Sequence, residues 1–481
     1  MAAPTASLHF FGVAILYYYY SPERDVTMKQ KQTSMVRDLT SGSVVRLLLQ
    51  FAFPLFVSNA LQAVYNIVDM IVVGQFIGGT GMSAVSIGGD ILHLLTFVAM
   101  GFSSAGQVII AQNVGAGEMD RVKKTIGTMF TFLLTTSLVI SVICYFIRDT
   151  MLGLLNTPAE SYAYTMDYTV TCIVGLLFIY GYNIISAILR GMGDSRRPFM
   201  FIAIAAVVNI VLDLVLVAVG GMEVFGAALA TVISQGLSFV IALIYLYRHK
   251  ESFGFDFRPE SFAIDRAALA RLLALGIPMA IQSAAINISK IVLTSWINLH
   301  GVVYSALSGI YNKVNMMIGI VSNSFTTAGS SMVGQNLGAK KYDRVPVILR
   351  TVMICTVSIS TVLALALLFA SEPIFALFTS DGAVLASASI LVIPAVLNFY
   401  GAATRSMSFS LINGSGNTRL NFAVAIIDGM ISRIGIAALL GFAMGMGCQG
   451  FWYGDALAGF MPMAIGMCYY ISGKWKLRTK G

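Results

Sequence analysis

Long apolar runs separated by short polar connections dominate the chain. Twelve such runs fall near residues 46–77, 84–112, 125–147, 161–189, 199–219, 225–247, 269–298, 304–334, 346–370, 383–411, 421–442 and 449–472. A helix needs about 20 mostly apolar residues to cross about 30 Å of hydrocarbon, and every run meets that length. The pattern predicts an all-α polytopic membrane protein of twelve helices. It divides into a tail (1–45), a first lobe of six helices (46–247), a linker (248–268), a second lobe of six helices (269–472) and a short tail (473–481).

The connections alternate in charge. "GAGEMDRVKK", "RGMGDSRRP", "GAKKYDR", "NGSGNTR" and the segment around 248–268 are basic, whereas "GQFIGGTGMS" and "GMGCQG" carry no Lys or Arg. Basic loops stay on the cytoplasmic side, so both termini are expected in the cytoplasm and the protein in the cell membrane. Of 30 Lys and Arg, Arg148 alone falls in an outside connection, and Lys290, Lys313, Arg405 and Arg433 lie within apolar runs. The net charge of +8 therefore sets orientation and gives no reason to expect a nucleic-acid partner. Trp296 and Trp452 are expected at the outer interface and Trp475 at the inner one.

Composition agrees with lipid as the surrounding solvent. The chain is 57% hydrophobic and 11% charged, against roughly 25% charged in soluble domains, with a mean hydropathy of +0.82. Five cysteines show no paired spacing and four histidines are scattered, which suggests neither a disulfide framework nor a metal site. No phosphate-binding loop of the G-x-x-x-x-G-K-[ST] type appears, and no cluster of acid, His or metal ligands marks an enzyme. No cofactor is expected. Residues 8–20 ("LHFFGVAILYYYY") are apolar but too short to span and lack the basic start of a signal peptide. Residues 1–35 are therefore expected to be disordered or dispensable, with Met28 an alternative beginning.

The two halves repeat. "QNVGAGEMDRV" at Gln112 returns as "QNLGAKKYDRV" at Gln335, an offset of 335 − 112 = 223. The same offset pairs Gly191 with Gly414 and Gly193 with Gly416, and an offset of 224 pairs Pro54 with Pro278 and Gly226 with Gly450. Six helices per half is an even number, so both halves enter the membrane in the same direction. Transporters built this way place their sites at the repeat interface, and a long linker suits two rocking lobes.

Polar groups inside the first lobe are the candidate chemistry. The first run carries Ser58, Gln62, Asn66 and Asp69 at steps of 4, 4 and 3, one stripe of a helix. The fifth carries Asn209 and Asp213, four apart. At about 1.5 Å per residue, Asp69, Asp213 and Tyr168 each lie about 11–12 Å inside the outer end of their helix. An ionised Asp at the bilayer centre costs about 2.5–3.5 kcal/mol, so such residues usually face a cavity. Asn66, Gln62 and Tyr168 could equally serve as hydrogen-bonding links between helices. Asp90 is expected at a solvated helix end.

With "FPLFVSNALQAVYNIVDMIVVGQFIG", "QNVGAGEMDRV", "LRGMGDSRRP" and "VVNIVLDLVLV" in order, the chain resembles the multidrug and toxic compound extrusion family over roughly residues 45–472. "YNIVD" and "NIVLD" resemble its DinF-like branch. The resemblance implies two six-helix bundles in a V and export of lipophilic organic cations driven by entry of protons, or of sodium. It groups Asp69, Tyr168, Asn209 and Asp213 as one proton- or cation-responsive site. It also ties bending of the first helix at Pro54 to substrate release. Pro278 is the repeat-related proline, and packing shape is the alternative reason for both.

The second lobe departs from that pattern. Lys290 and Arg405 stand in the seventh and tenth helices, where other branches carry acidic residues, with Lys313 in the eighth and Arg433 in the eleventh, and Asp428 and Asp455 are the available carboxylates of this lobe. Internal ion pairs locking the lobe are the expected role, a surface for anionic groups the alternative. Asp428 and Arg433, five apart, do not share a face of an α-helix squarely, so partners on other helices are expected. These cations also keep open a rival function, a flippase for lipid-linked saccharides or another anionic lipid. Nothing suggests an obligate oligomer, and a functional monomer is expected.

Overall fold

The structure is a computed structural model that describes residues 36–379 and 381–480. The expectation for residues 1–35 lies outside the described residues. Twelve long helical segments follow the predicted runs: α1 (Val44–Phe76), α2 (Gly79–Ala116), α3 (Met119–Leu154), α4 (Tyr162–Gly191), α5 (Arg196–Val219), α6 (Glu223–Arg248), α7 (Arg266–Asn298), α8 (Val302–Gly338), α9 (Arg344–Phe369), α10 (Val392–Gly414), α11 (Thr418–Ala443) and α12 (Cys448–Ile471). No strand occurs among the described residues.

Ten of the segments are long and apolar enough to cross a membrane on composition alone. The two exceptions have separate causes. The middle of α8 carries Asn312, Lys313, Asn315, Ser322, Asn323 and Ser324, and this helix lies at the seam between the lobes, packed on α1 and α2 of the first as well as on α7, α9 and α10 of the second. In α12, helical continuity breaks between Ala458 and Met461, leaving two 11-residue pieces. Short turns at repeat-related positions hold the helices in sequence: Gly78 before α2 and Gly301 before α8 both have positive φ, +86° and +103°, which only glycine adopts freely. Side chains cap α1, α7 and α11 through Ser43, Asp265 and Asn417, each satisfying an orphan backbone N–H.

Across the seam between lobes, α2 and α8 run against each other and against α7 and α1. Approach is close enough to exclude a Cβ. One added at Gly115 would sit 2.0 Å from the Gln335 carbonyl oxygen, and one at Gly338 would sit 2.0 Å from that of Gln112. This tight contact lies at the end of the bundle that carries the basic loops.

The 248–268 segment is not a loose tether. Phe253 and Phe255 are buried, and Phe255 packs edge-on against Phe262 and alongside Phe130 of α3. The Thr131 hydroxyl donates to the Phe262 carbonyl, and the Asp265 N–H donates to the Thr128 hydroxyl at 3.0 Å. Two tryptophans also depart from the expected interface belt. Trp452 is 1% exposed and Trp475 2%; the first packs beside Tyr311 inside the second lobe and the second stacks on Tyr470. Position along a helix predicts depth but not which way a ring faces.

Candidate functional site

The first lobe buries a group of polar side chains within the apolar packing of α1, α2, α4, α5 and α6. Val72 and Val73 of α1, Ala84 and Val85 of α2, Cys172 of α4, Val217 of α5 and Ala227 of α6 form one buried apolar cluster there, together with Tyr168. Asp69 from α1 and Asp213 from α5 are both buried, at 5% and 0% exposure, and lie within electrostatic reach of each other. Both Asp213 oxygens and the Asp69 Oδ1 lack a hydrogen-bond partner, and no Lys or Arg among the described residues pairs with either. Two carboxylates shut away from water without a cation require a positive charge, carried by a proton or a bound cation.

Asn209 and Tyr168 complete this group. Asn209, 1% exposed, donates to the Thr231 hydroxyl of α6 at 3.5 Å. Tyr168 sits beside Asp69, Tyr65 and Thr231. It fits because Gly88 of α2 has no side chain: a Cβ there would stand 2.4 Å from the Tyr168 ring. Directly after Asp213, α5 changes to π-helical pairing over Leu214–Val219, a distortion frequent at functional positions.

Two members of the predicted stripe fall elsewhere. Asn66 is exposed and Gln62 half-buried. At about 100° per residue, Asn66 lies about 60° to one side of Asp69, where it is exposed, whereas Tyr65 lies about 40° to the other side, toward Gln235 of α6. Tyr65, Thr231 and Gln235 are therefore neighbours that the stripe did not include. The spacing of Thr231, Gln235 and Ser238 along apolar α6 was the available signal. Asp90 is exposed and lies outside this group. Both α1 and α7 run unbroken through Pro54 and Pro278, and the Ser58 hydroxyl donates to the Pro54 carbonyl at 2.8 Å.

A second feature opens between the lobes: a cavity of about 280 Å³ between α2 on one side and α7, α8 and α10 on the other. Its lining is polar through Ser104, Gln282, Asn323 and Asn413, and its one charged lining residue is Arg405. Asp69 and Asp213 do not reach it.

Behind Arg405 lies a buried charge cluster. Arg405 pairs with Asp428 at 3.3 Å, Arg433 with the same Asp428 oxygen at 3.6 Å, and Arg433 with Asp455 of α12. Tyr311 of α8 donates to Asp455 at 3.2 Å. The expected partners on other helices are present, Arg405 for Asp428 and Asp455 for Arg433, and the same-helix contact of Asp428 with Arg433 at 3.6 Å is an addition to them. Residues Ile427–Ser432 are π-helical, and i to i+5 pairing brings residues five apart to one face. Lys290 lies near all four charges but forms no ion pair among the described residues. Lys313 is exposed and does not join the cluster.

The MatE family model matches residues 54–215 and 278–446. The chain is similar to the probable multidrug resistance protein YoeA of Bacillus subtilis (strain 168), 27% identical over 455 residues, which span 94% of this chain and 96% of that protein. It is also similar to the probable multidrug resistance protein YpnP of the same organism, 31% identical over 310 residues, or 64% and 68% of the two chains. Among solved structures, an outward-facing conformation of a multidrug resistance MATE family transporter superposes with a TM-score of 0.85. Identity there is 18%, with 92% and 98% of the two chains covered, a likeness of fold.

Proposed function

Because the chain belongs to the MatE family of membrane transporters, we propose that it exports lipophilic organic cations in exchange for protons, or for sodium, by alternating access. The observation that carries this reading is the burial of Asp69 and Asp213 within electrostatic reach of each other, with no Lys or Arg among the described residues paired to either. A cation and a proton compete for the same negative charge. When the coupling ion arrives, the charge that holds the drug is cancelled and the drug leaves, so the two fluxes are linked by one site. Tyr168 and Asn209 pack around that charge. The basic connections orient the protein with both termini in the cytoplasm, and one copy contains both lobes and suffices as the working unit.

Purified protein in liposomes tests the proposal by efflux of a fluorescent dye cation under a proton gradient and, separately, a sodium gradient. One gradient drives efflux in the parent, and Asp69→Asn abolishes that coupling at equal amounts of inserted protein. Unchanged efflux in Asp69→Asn removes Asp69 from the mechanism. Efflux that ignores both gradients overturns ion coupling altogether.

A further inference from the structure

The buried cluster of the second lobe is repeat-related in part to the polar residues around Asp69 and Asp213, whose own counterparts at the offset of 224, Leu293 and Ala437, are apolar. At that offset Asn209 corresponds to Arg433 (433 − 209), Thr231 to Asp455 (455 − 231), and the exposed Asn66, outside that group, to Lys290 (290 − 66). The neutral contact of Asn209 with Thr231 becomes the ion pair of Arg433 with Asp455, which adds no net charge. Arg405 and Lys290 then face one further carboxylate, Asp428. Three cations stand against two carboxylates.

A purely structural network gains nothing from the surplus. Lys290 is half-buried and forms no ion pair among the described residues, and the lobe is held without it: Arg433 with Asp455 and Asp428 links α11 to α12 and, through Arg405, to α10. Arg405 is also the charged residue that lines the cavity between the lobes. Beside it, Gln282 is 8% exposed, lines the same cavity and has a side-chain Nε2 donor with no partner. A guanidinium next to an unused amide donor suits an oxyanion, which accepts several hydrogen bonds at once.

We propose that Arg405, with Gln282 beside it and Lys290 supplying the surplus charge, binds a phosphate- or carboxylate-type oxyanion carried by a molecule in the central cavity. The site is separate from the Asp69 and Asp213 pair and does not rest on cation export. Loss of that reading leaves it standing.

The test is calorimetric titration of the full chain in an uncharged detergent, with dodecyl phosphate as an amphiphilic oxyanion and AMP as a water-soluble one. A third arm adds phosphatidylglycerol to nanodiscs of zwitterionic lipid and reads thermal stability. Saturable binding is expected, weakened at least about tenfold in Arg405→Gln and in Lys290→Gln, partly restored in Arg405→Lys, and unchanged in the exposed Arg350→Gln. Binding of dodecyl phosphate and phosphatidylglycerol without AMP assigns the anion to a lipid headgroup. Binding of AMP assigns it to a soluble phosphorylated compound. Should Arg405→Gln misfold, Lys290→Gln, which breaks no ion pair, decides alone. Equal affinity in Lys290→Gln and the parent, or no saturable binding in any arm, overturns the proposal.

Discussion

Gln112 and Gln335 mirror each other across the seam between the lobes. The Gln112 Nε2 donates to the Gly414 carbonyl at 2.7 Å, and the Gln335 Nε2 donates to the Gly191 carbonyl at 3.2 Å. Each glutamine sits on one lobe and each acceptor on the other, and donors and acceptors alike are separated by 223 residues. The two bonds latch the basic end of the bundle shut. Replacing a buried donor leaves its acceptor unsatisfied, at a cost of about 1–3 kcal/mol. Gln112→Leu with Gln335→Leu is therefore expected to shift the closed-to-open ratio at that end by about tenfold or more. Spin labels at Asp120 and Lys340, read by pulsed dipolar spectroscopy, report the shift as a new long-distance population. An unchanged distance distribution removes the latch.

The glycines of the same seam make a sharper prediction. Gly115→Ala and Gly338→Ala each press a methyl group onto a carbonyl oxygen of the opposite lobe, and overpacking costs about 1–3 kcal/mol. Both variants are expected to insert and fold yet transport about tenfold more slowly, because the basic end no longer closes. Gly309→Ala, on the same helix as Gly338, with open space at its Cβ position and away from the central cavity, serves as the neutral comparison in the same liposome assay.

Gly88→Ala tests the first-lobe site without touching a polar group. The added methyl displaces the Tyr168 ring at a similar overpacking cost of about 1–3 kcal/mol. Dye efflux is expected to fall while the amount of inserted protein holds. Efflux equal to the parent would mean that Tyr168 has no part in transport.

Arg433 and Asp455 are predicted to be coupled in stability. Removing one partner of a buried pair costs about 3–5 kcal/mol, whereas replacing both with apolar groups of similar volume is often neutral. Arg433→Met or Asp455→Leu should each lower the Tm of the purified protein, and the double variant should recover most of the loss. Additive losses in the double variant would argue against the pairing.

Outside the membrane-spanning helices, the segment from Arg37 to Gly42 straps the basic end. The Arg37 N–H donates to the Met192 carbonyl of the first lobe at 2.9 Å, while Leu39 N–H donates to the Gln335 side chain at 3.0 Å. Asp38 folds the strap by accepting from Thr40 and Ser41. Burial opposes its charge, but these bonds and the Lys341 ammonium hold the Asp38 carboxyl below its ordinary value of 3.8. A carboxylate lowered on folding stabilises the fold above its unfolded pKa and ceases to do so as pH falls through the folded one. Protection of the amides across 37–42, expressed relative to their intrinsic exchange rate at each pH, should therefore fall below about pH 4, and Asp38→Asn should remove that fall. A protection factor that is flat with pH in the parent would refute it.

Much of this molecule was written in one dimension. Run length predicted twelve helical segments, and the offset of 223 to 224 predicted two lobes that the seam bonds of Gln112 and Gln335 follow position by position. The carboxylates Asp69 and Asp213 stood out because an acid within an apolar run is costly. Spacing failed where helical phase mattered more than depth. Asn66 shares a layer with Asp69 but not a direction, and Trp452 turns inward. Asp428 meets Arg433 in addition to its partner on another helix, because the helix between them is π-helical.

The sequence by itself determined the solvent, the number of crossings and the repeat, since each follows from hydrophobic free energy summed along the chain. Only the tertiary structure decided which polar groups are buried together, which glycines let the lobes touch, and that Arg405 rather than either aspartate faces the central cavity. Those outcomes depend on angles of a few tens of degrees about each helix axis, which close packing sets and composition does not encode.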